Sequence, residues 1–375
     1  MKILRYCILP VCVLLLLLRM TVSVAAEETE HEYSSVLMEA QSGMCLGGTE
    51  PERILPAGSQ TKLMTVYLTA EAIGAGRLAA DETVTVSPSA EGTPGATVWL
   101  QAGEQMTVED LLKAVIIGNA NDACIALACR LSGSEQQFVM DMNATAFTLG
   151  MRHTGFADCT GLSAENRSTA HDLGLLCRAL LQYEELTLLF TTWHDYLRGG
   201  ATELVSENRL TKKNPDLLGF KAGHGEASGY TLTAAEKRGD MCMIAVVLGC
   251  GDEDTRFSDA KALLKTGFTG YYVTTPDFSA EFMHPLRVRH GTADSVLTET
   301  GALLSLALPK GERISSTVVM PRWKEAPVQK GDAVGAAAFY CGDTLVSETV
   351  LLAAEDVPRR RFCDTLRMLL RAMFL

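Results

Sequence analysis

The sequence predicts a two-part protein: an α/β (α+β) domain with helices packed on a sheet, followed by a small all-β domain. Three observations carry this. Helix-period segments are gathered between an early strand and a late hairpin, which suggests a sheet assembled from both ends of the first domain. From about Pro276 the helical pattern gives way to short strand-like runs separated by turn residues. The chain has 375 residues, 47% of them hydrophobic, enough for two cores at about 150 residues per domain.

Taken in order, Val36–Glu39 reads as a strand, and Ser59–Ala72 opens a helix. Thr107-Val108-Glu109-Asp110 is a capping-box-like start for a helix running through Leu111, Leu112 and Val115. Phe138, Val139, Met142, Ala146 and Leu149 keep helical spacing until Gly150, a residue suited to the left-handed position after a helix. Thr169-Ala170-His171-Asp172 begins a further helix through Leu181. Tyr230–Ala235 and Met241–Leu248 flank Lys237-Arg238-Gly239-Asp240 and read as a hairpin. Beyond Pro276, Leu303–Leu308, Ser316–Met320, Ala333–Tyr340 and Leu345–Leu352 are strand candidates, with turns at Pro309-Lys310-Gly311 and Cys341-Gly342-Asp343.

The ends differ from the body. With 45 acidic and 33 basic residues the net charge is −12, yet residues 27–358 alone carry −19 because both ends are basic. An acidic body is a poor surface for phosphate backbones, so nucleic acid is not expected as a partner. Met1–Ala26 reads as a secretory signal: Lys2 and Arg5 precede the apolar run Cys7–Leu18, and Ser23, Val24, Ala25 and Ala26 offer small residues for cleavage. That run is short of the roughly 20 residues a spanning helix needs. At the other end, residues 358–375 form an amphipathic helix candidate. Leu366, Leu369, Leu370 and Met373 fall on one side, and Arg360, Asp364, Arg367 and Arg371 on the other. Basic charge beside a wide apolar face suits the surface of an anionic membrane. The expected place is therefore the extracytoplasmic face of the cell membrane, or outside the cell.

Eleven cysteines are present, and the nine that follow the signal cannot all pair. Cys124, Cys129 and Cys177 fall within apolar helical patterns and read as small buried hydrophobes. The sequence has no C-x-x-C and no H-E-x-x-H, so it gives no support for a metal site, and no cofactor is expected.

The sharpest chemical feature is Ser59-Gln60-Thr61-Lys62. On a helix, positions i and i+3 share a face, so the Ser59 hydroxyl and the Lys62 amine can meet. The positive end of the helix disfavours the ammonium form, and a desolvated lysine can take a proton from serine. Alone, such a four-residue pattern is better explained by an N-cap serine and a surface lysine. Its company changes that. Ser59-x-x-Lys62, Asn119-Ala120-Asn121 and Lys221-Ala222-Gly223 together resemble the S-x-x-K, S-x-N and K-T-G triplet of penicillin-recognising serine enzymes. The flanks Val36-Leu37-Met38-Glu39-Ala40, Leu55-Pro56-Ala57-Gly58, Leu63-Met64-Thr65, Asp122-Ala123, Ser168-Thr169-Ala170-His171-Asp172-Leu173 and Ile244-Ala245-Val246-Val247-Leu248-Gly249 are similar to those of low-molecular-mass D-alanyl-D-alanine carboxypeptidases.

That resemblance covers nearly the whole chain. It implies a penicillin-binding, β-lactamase-like transpeptidase domain at 27–275, helices on an antiparallel sheet, then a small β domain at 276–357. It further implies that Ser59 attacks the bond between the terminal D-alanines of a peptidoglycan stem peptide, with Lys62 as general base. Asn119 stands at the position of the second-motif serine. Asn121, Lys221, Ala222, Gly223 and His224 would bind the peptide, Lys221 facing its carboxylate, while backbone N–H groups of Ser59 and of His224 or Gly225 hold the oxyanion. β-Lactams would acylate Ser59. Two positions depart from the pattern: Asn119 cannot relay a proton as a hydroxyl does, and Ala222 lacks the hydroxyl of threonine. One positioned hydrogen bond to a charged group contributes about 1.5–3 kcal/mol.

Two other readings use the same motifs. The first is a pseudoenzyme of this fold that binds cell-wall peptide or penicillin without turnover. The second is a β-lactamase, which fits less well because Glu165 reads as part of an exposed Ser163–Arg167 loop and no other deacylating glutamate is evident. His153, His171 and His194 read as structural or exposed, Arg198-Gly199-Gly200 as a turn beside the cleft, and Trp193 and Trp323 as packing residues. Deleting residues 359–375 is expected to move the protein from the membrane to the soluble fraction; unchanged fractionation would contradict the anchor.

Overall fold

Apolar residues on both faces of a short strand build the centre of the first domain. The structure, a computed structural model, describes residues 32–212, 214–276, 284–303 and 305–366. The export signal lies outside them, and so does the amphipathic segment beyond Leu366; residues 362–366 are helical. Among the described residues no helix is long and apolar enough to cross a membrane.

Strand β1, Ser34–Glu39, is buried at every position. Because successive side chains point to opposite faces, Val36 and Met38 join a large helical core while Leu37 joins a second core on the other side. The sheet continues with β2 (Cys45–Gly47), β3 (Leu217–Gly219), β4 (Ala222–Gly225), β5 (Gly229–Arg238) and β6 (Met241–Cys250). Its order is β4-β5-β6-β1-β2, with β3 also on β5. All of these pairings are antiparallel, and β1 matches β6 from Ser34↔Leu248 to Glu39↔Met243. Early and late strands thus share one sheet, as the sequence pattern suggests. The β5–β6 hairpin turns at Gly239 and Asp240 alone. Lys237 and Arg238 stay in the ladder, and Gly239 takes φ 58°, a left-handed conformation glycine adopts without steric cost.

Seven α-helices surround this sheet among the described residues. Helix α1 (Lys62–Gly74) is buried along most of its length. Helix α2 (Val108–Ile116) is capped by Thr107, whose Oγ1 accepts from Asp110 N at 3.1 Å. Helix α3 (Asn121–Ser132) stops at Gly133, and α4 (Glu135–Thr148) is followed by Gly150 at φ 81°. Helix α5 (Ala170–Leu180) is capped by Thr169. Two helices went unread in the sequence: α6 (Glu184–Thr191) and α7 (Glu253–Gly270), the latter capped by Asp252. Helix α5 packs on β1 and β6 from one side; α7 covers β5, β6 and β1 from the other, placing Phe257, Ala260 and Leu264 against Leu37, Met243 and Val247.

After α7 the chain enters β7 (Tyr271–Thr274). Then come β8 (Leu286–Arg289), β9 (Ser295–Val296), β10 (Thr298–Thr300), β11 (Leu306–Pro309), β12 (Ile314–Val319), β13 (Lys324–Glu325), β14 (Ala333–Cys341) and β15 (Thr344–Ala353). A four-stranded sheet runs β10-β15-β14-β12, and β7 pairs with β11. Val296, Ala337, Phe339 and Leu351 fill this third core. Each of the four strand candidates read in this region corresponds to a strand, with ends that differ by at most three residues. The short β8, β9, β10 and β13 were not legible because so few residues alternate.

One packing contact sets the position of the first motif. A 3₁₀ turn at Gly58–Thr61 precedes α1 and carries Ser59, and β4 lies against it. A Cβ on Gly223 would stand 2.6 Å from Ser59 Cβ, closer than two carbon atoms can approach. Gly223→Ala is therefore expected to destabilise the protein by about 1–3 kcal/mol, read as a lowered melting temperature. An unchanged melting temperature would contradict this close approach.

Candidate active site

Three segments distant in sequence meet where β4 crosses the nucleophile turn. They line a cleft of about 430 Å³ that includes Ser59, Lys62, Asn119, Asn121, Glu207 and His224. Gln60 locks the turn in place: its Nε2 donates to Lys221 O at 3.1 Å and to Thr231 Oγ1 at 3.0 Å, and its Oε1 accepts from Thr233 Oγ1 at 2.9 Å. The sequence reading passed over Gln60; a fully buried amide between nucleophile and base is legible only once the two strands are known to lie beside it.

Lys62 opens α1 one turn after Ser59 and is 2% exposed. Its Nζ donates to the Thr160 carbonyl at 2.7 Å. Burial pushes this amine below the ordinary lysine range, against the opposing pull of Cys124, Glu207 and Asp158. The loop that presents the Thr160 carbonyl is organised by Asp158, whose carboxylate accepts from the backbone N–H groups of Thr160, Gly161 and Ser163 at 2.6–2.7 Å. Burial raises the Asp158 pKa, but these donors outweigh it and hold the group below the usual carboxylate range. Inside the same loop Asn166 is fully buried, whereas Glu165 is exposed and does not line the cleft.

The second motif sits at the start of α3. Asn119 adopts φ 56°, a left-handed conformation that asparagine tolerates better than most residues. Its Nδ2 lies 3.4 Å from Ser59 Oγ and 3.1 Å from Glu207 Oε1. Asn121 Nδ2 donates to Pro94 O at 2.8 Å. The Oδ1 atoms of Asn119 and Asn121 are buried without a hydrogen-bond partner. Glu207 was not singled out in the sequence, since its approach to Asn119 spans 88 positions of the chain.

The third motif divides between two layers. Lys221 is 4% exposed, and its Nζ donates to Val115 O at 3.0 Å beneath the cleft. Burial, with like charge from Lys62 adding to it, pushes its amine down to about 7. Ala222 belongs to the apolar core on the α7 side. Gly223 touches the nucleophile turn, and its carbonyl accepts from Arg256 Nη1 at 2.6 Å. His224 lines the cleft and stacks on Tyr230 with ring centroids 4.1 Å apart.

Residues read as structural stay outside the cleft. His153 and His171 both approach Glu52 at 3.2 Å, and His194 approaches Glu203 at 2.8 Å. Among the described residues, the only group whose ligand atoms could share a metal ion is Glu52, His171 and Asp172 at the start of α5, and Asp172 Oδ2 already accepts from His153 N and Thr154 Oγ1. Arg198 ties its turn to Glu104 at 2.6 Å and to Val98 O at 2.9 Å. Trp193 and Trp323 carry cations on their faces, Lys212 at 3.8 Å and Arg289 at 3.9 Å. The nine cysteines after residue 26 are all free; Cys124 and Cys177 are buried in the helical core, and burial raises the Cys124 thiol to about 12.

A serine beside a desolvated lysine, in a cleft roofed by an edge strand, is equipped for acyl transfer, and the chain as a whole is similar to known proteins. The family model described as D-alanyl-D-alanine carboxypeptidase matches residues 20–252, and that described as the C-terminal domain of penicillin-binding protein 5 matches residues 283–359. The chain is 34% identical over 350 residues to the D-alanyl-D-alanine carboxypeptidase DacF of Bacillus subtilis, covering 91% of this chain and 90% of that one. The crystal structure of penicillin-binding protein 5 from Haemophilus influenzae superposes with a TM-score of 0.79 at 26% identity, over 87% of this chain and 97% of that chain. Penicillin-binding protein D2 from Listeria monocytogenes, in its cefotaxime-bound form, gives a TM-score of 0.57 at 29% identity over 63% of this chain and 96% of that chain. The chain belongs to the family of serine-type D-alanyl-D-alanine carboxypeptidases.

Proposed function

We propose that this carboxypeptidase removes the terminal D-alanine from peptidoglycan stem peptides through an acyl-enzyme on Ser59. The observation that carries the reading is the pairing of Ser59 with a fully buried Lys62 in one cleft. A lysine stripped of water is partly a free amine and can take the serine proton, so no histidine is needed. Asn119 donates to Ser59 Oγ, while Asn121 turns an unpartnered Oδ1 toward a substrate N–H. Lys221 attracts the substrate carboxylate from beneath the floor, Gly223 keeps the edge strand close, and Ala222 adds no hydrogen bond. His224 forms the wall, and backbone N–H groups of Ser59 and of His224 or Gly225 hold the oxyanion.

The same reading assigns 1–26 to an export signal, 27–275 to the catalytic part, 276–357 to a β domain and 358–375 to a helix on the outer face of the cytoplasmic membrane. Support comes from the acidic body, the basic ends and the match of a separate family model to residues 283–359. β-Lactams, which resemble the dipeptide, would acylate Ser59; the cefotaxime-bound form of the Listeria protein is consistent with this.

The purified chain should release D-alanine from a stem pentapeptide, and Ser59→Ala should not. Retained release in Ser59→Ala would contradict the assignment, and penicillin labelling without release would favour a binding protein. The pH dependence follows from Lys62. The base works as the free amine, whose fraction grows as pH rises through its folded pKa, and burial holds that pKa below 10.5. At saturating substrate, acylation of Ser59 should therefore accelerate with rising pH and level off before pH 10.5, while substrate capture weakens above about 7 as Lys221 loses its charge; a saturated rate that climbs unabated through 10.5 would contradict the role of Lys62.

A further inference from the structure

The hydroxyl expected in the second motif is replaced by an amide, and the structure shows which group stands behind it. Asn119 Nδ2 carries two hydrogens, and it faces two acceptors: Ser59 Oγ at 3.4 Å and Glu207 Oε1 at 3.1 Å. Turning the amide over would set its Oδ1 against the Glu207 carboxylate, oxygen to oxygen, so Glu207 fixes the amide with nitrogen toward the nucleophile. In that orientation Asn119 donates and cannot accept a proton. The nearest proton acceptor beyond it is the carboxylate itself, two hydrogen bonds from Ser59 Oγ, a separation that one water molecule can bridge.

His224 and Glu226 also line the cleft, but Glu207 is the carboxylate that meets Asn119, and its position separates it from the two lysines. Lys62 is buried and occupied by the Thr160 carbonyl, and Lys221 lies beneath the floor. Glu207 is exposed and lines the cleft, so solvent reaches it while the acyl group occupies Ser59. Glu165 is absent from the cleft lining.

We propose that Glu207 is the general base of deacylation, taking over on the open side of the cleft the proton handling that the missing hydroxyl would have served. This rests on Ser59 being the acylated residue. In the step, the oxygen of water bonds to the acyl carbon while one of its protons passes to the Glu207 carboxylate. As the tetrahedral intermediate collapses, the bond from carbon to Ser59 Oγ breaks, and the proton held by Glu207 returns to Ser59 Oγ. Ester and water become carboxylic acid and free serine, with no further reactant. A carboxylate placed to activate water also acts on an acyl group derived from a β-lactam, so penicillin should be turned over on this protein instead of only trapping it.

The test separates the two half-reactions on the full chain. Wild type, Glu207→Gln and Glu207→Asp are labelled with fluorescent penicillin, and label gain and label loss are timed separately beside D-alanine release and melting temperature. Once labelled, Glu207→Gln is expected to lose its label on the order of 10²- to 10⁴-fold more slowly than wild type, the usual effect of removing a general base. Glu207→Asp, which keeps the carboxylate, should lose label faster than Glu207→Gln. Equal label loss in Glu207→Gln and wild type would overturn the proposal, as would an Asp variant no faster than the Gln variant. A wild-type protein that takes no label would overturn the Ser59 assignment, and the proposal with it.

Discussion

The contact between β4 and the turn carrying Ser59 is the constraint on which the site depends. Gly223 has no side chain, and that lets the edge strand close over the nucleophile. Gln60 then stitches the turn to Lys221, Thr231 and Thr233 through three hydrogen bonds. Behind the strand, Arg256 of α7 is fully enclosed and anchors the Gly223 carbonyl at 2.6 Å. The two cores on either face of the sheet thus converge on one glycine: the helical core positions the turn, and the α7 side positions the strand.

A second consequence is electrostatic. Lys62 and Lys221 are both buried; burial disfavours the charged form of each, and the charge of Lys62 further depresses Lys221. Such charges cost several kcal/mol unless neutralised or paired. The structure offsets this with carbonyls at Thr160 and Val115 and with the Glu207 carboxylate, which acts on both amines. Stability and chemistry share the same groups here. The carboxylate that eases two buried ammonium groups also holds the amide that meets the nucleophile.

Much of this was legible in the residues, for identifiable reasons. Helices with strong caps or clear periodicity, at Thr107, Phe138–Leu149 and Thr169, fall where their patterns place them, because local propensity and tertiary packing agree there. The hairpin was found but its turn was drawn too long, since Lys237 and Arg238 look like turn residues and are held in the ladder instead, Arg238 stacking on Phe268 at 4.4 Å. Helix α7 was missed although Asp252 announces it, because its buried positions, such as Phe257, Ala260 and Leu264, are interrupted by charge. At the site, Ser59 and Lys62 could be paired by helical spacing, and Asn119, Asn121 and His224 only through the resemblance of the three motifs to those of a known family. Glu207, Asp158 and Gln60 could not, because their roles arise from contacts that only the folded chain creates.

The central claim is that Ser59 is the residue this cleft acylates. It is tested most directly by exposing the protein to a β-lactam, digesting it and weighing the peptides. The account predicts one added β-lactam mass on the peptide containing Ser59, lost in Ser59→Ala. An adduct on a different residue, or the same adduct surviving in Ser59→Ala, would contradict it.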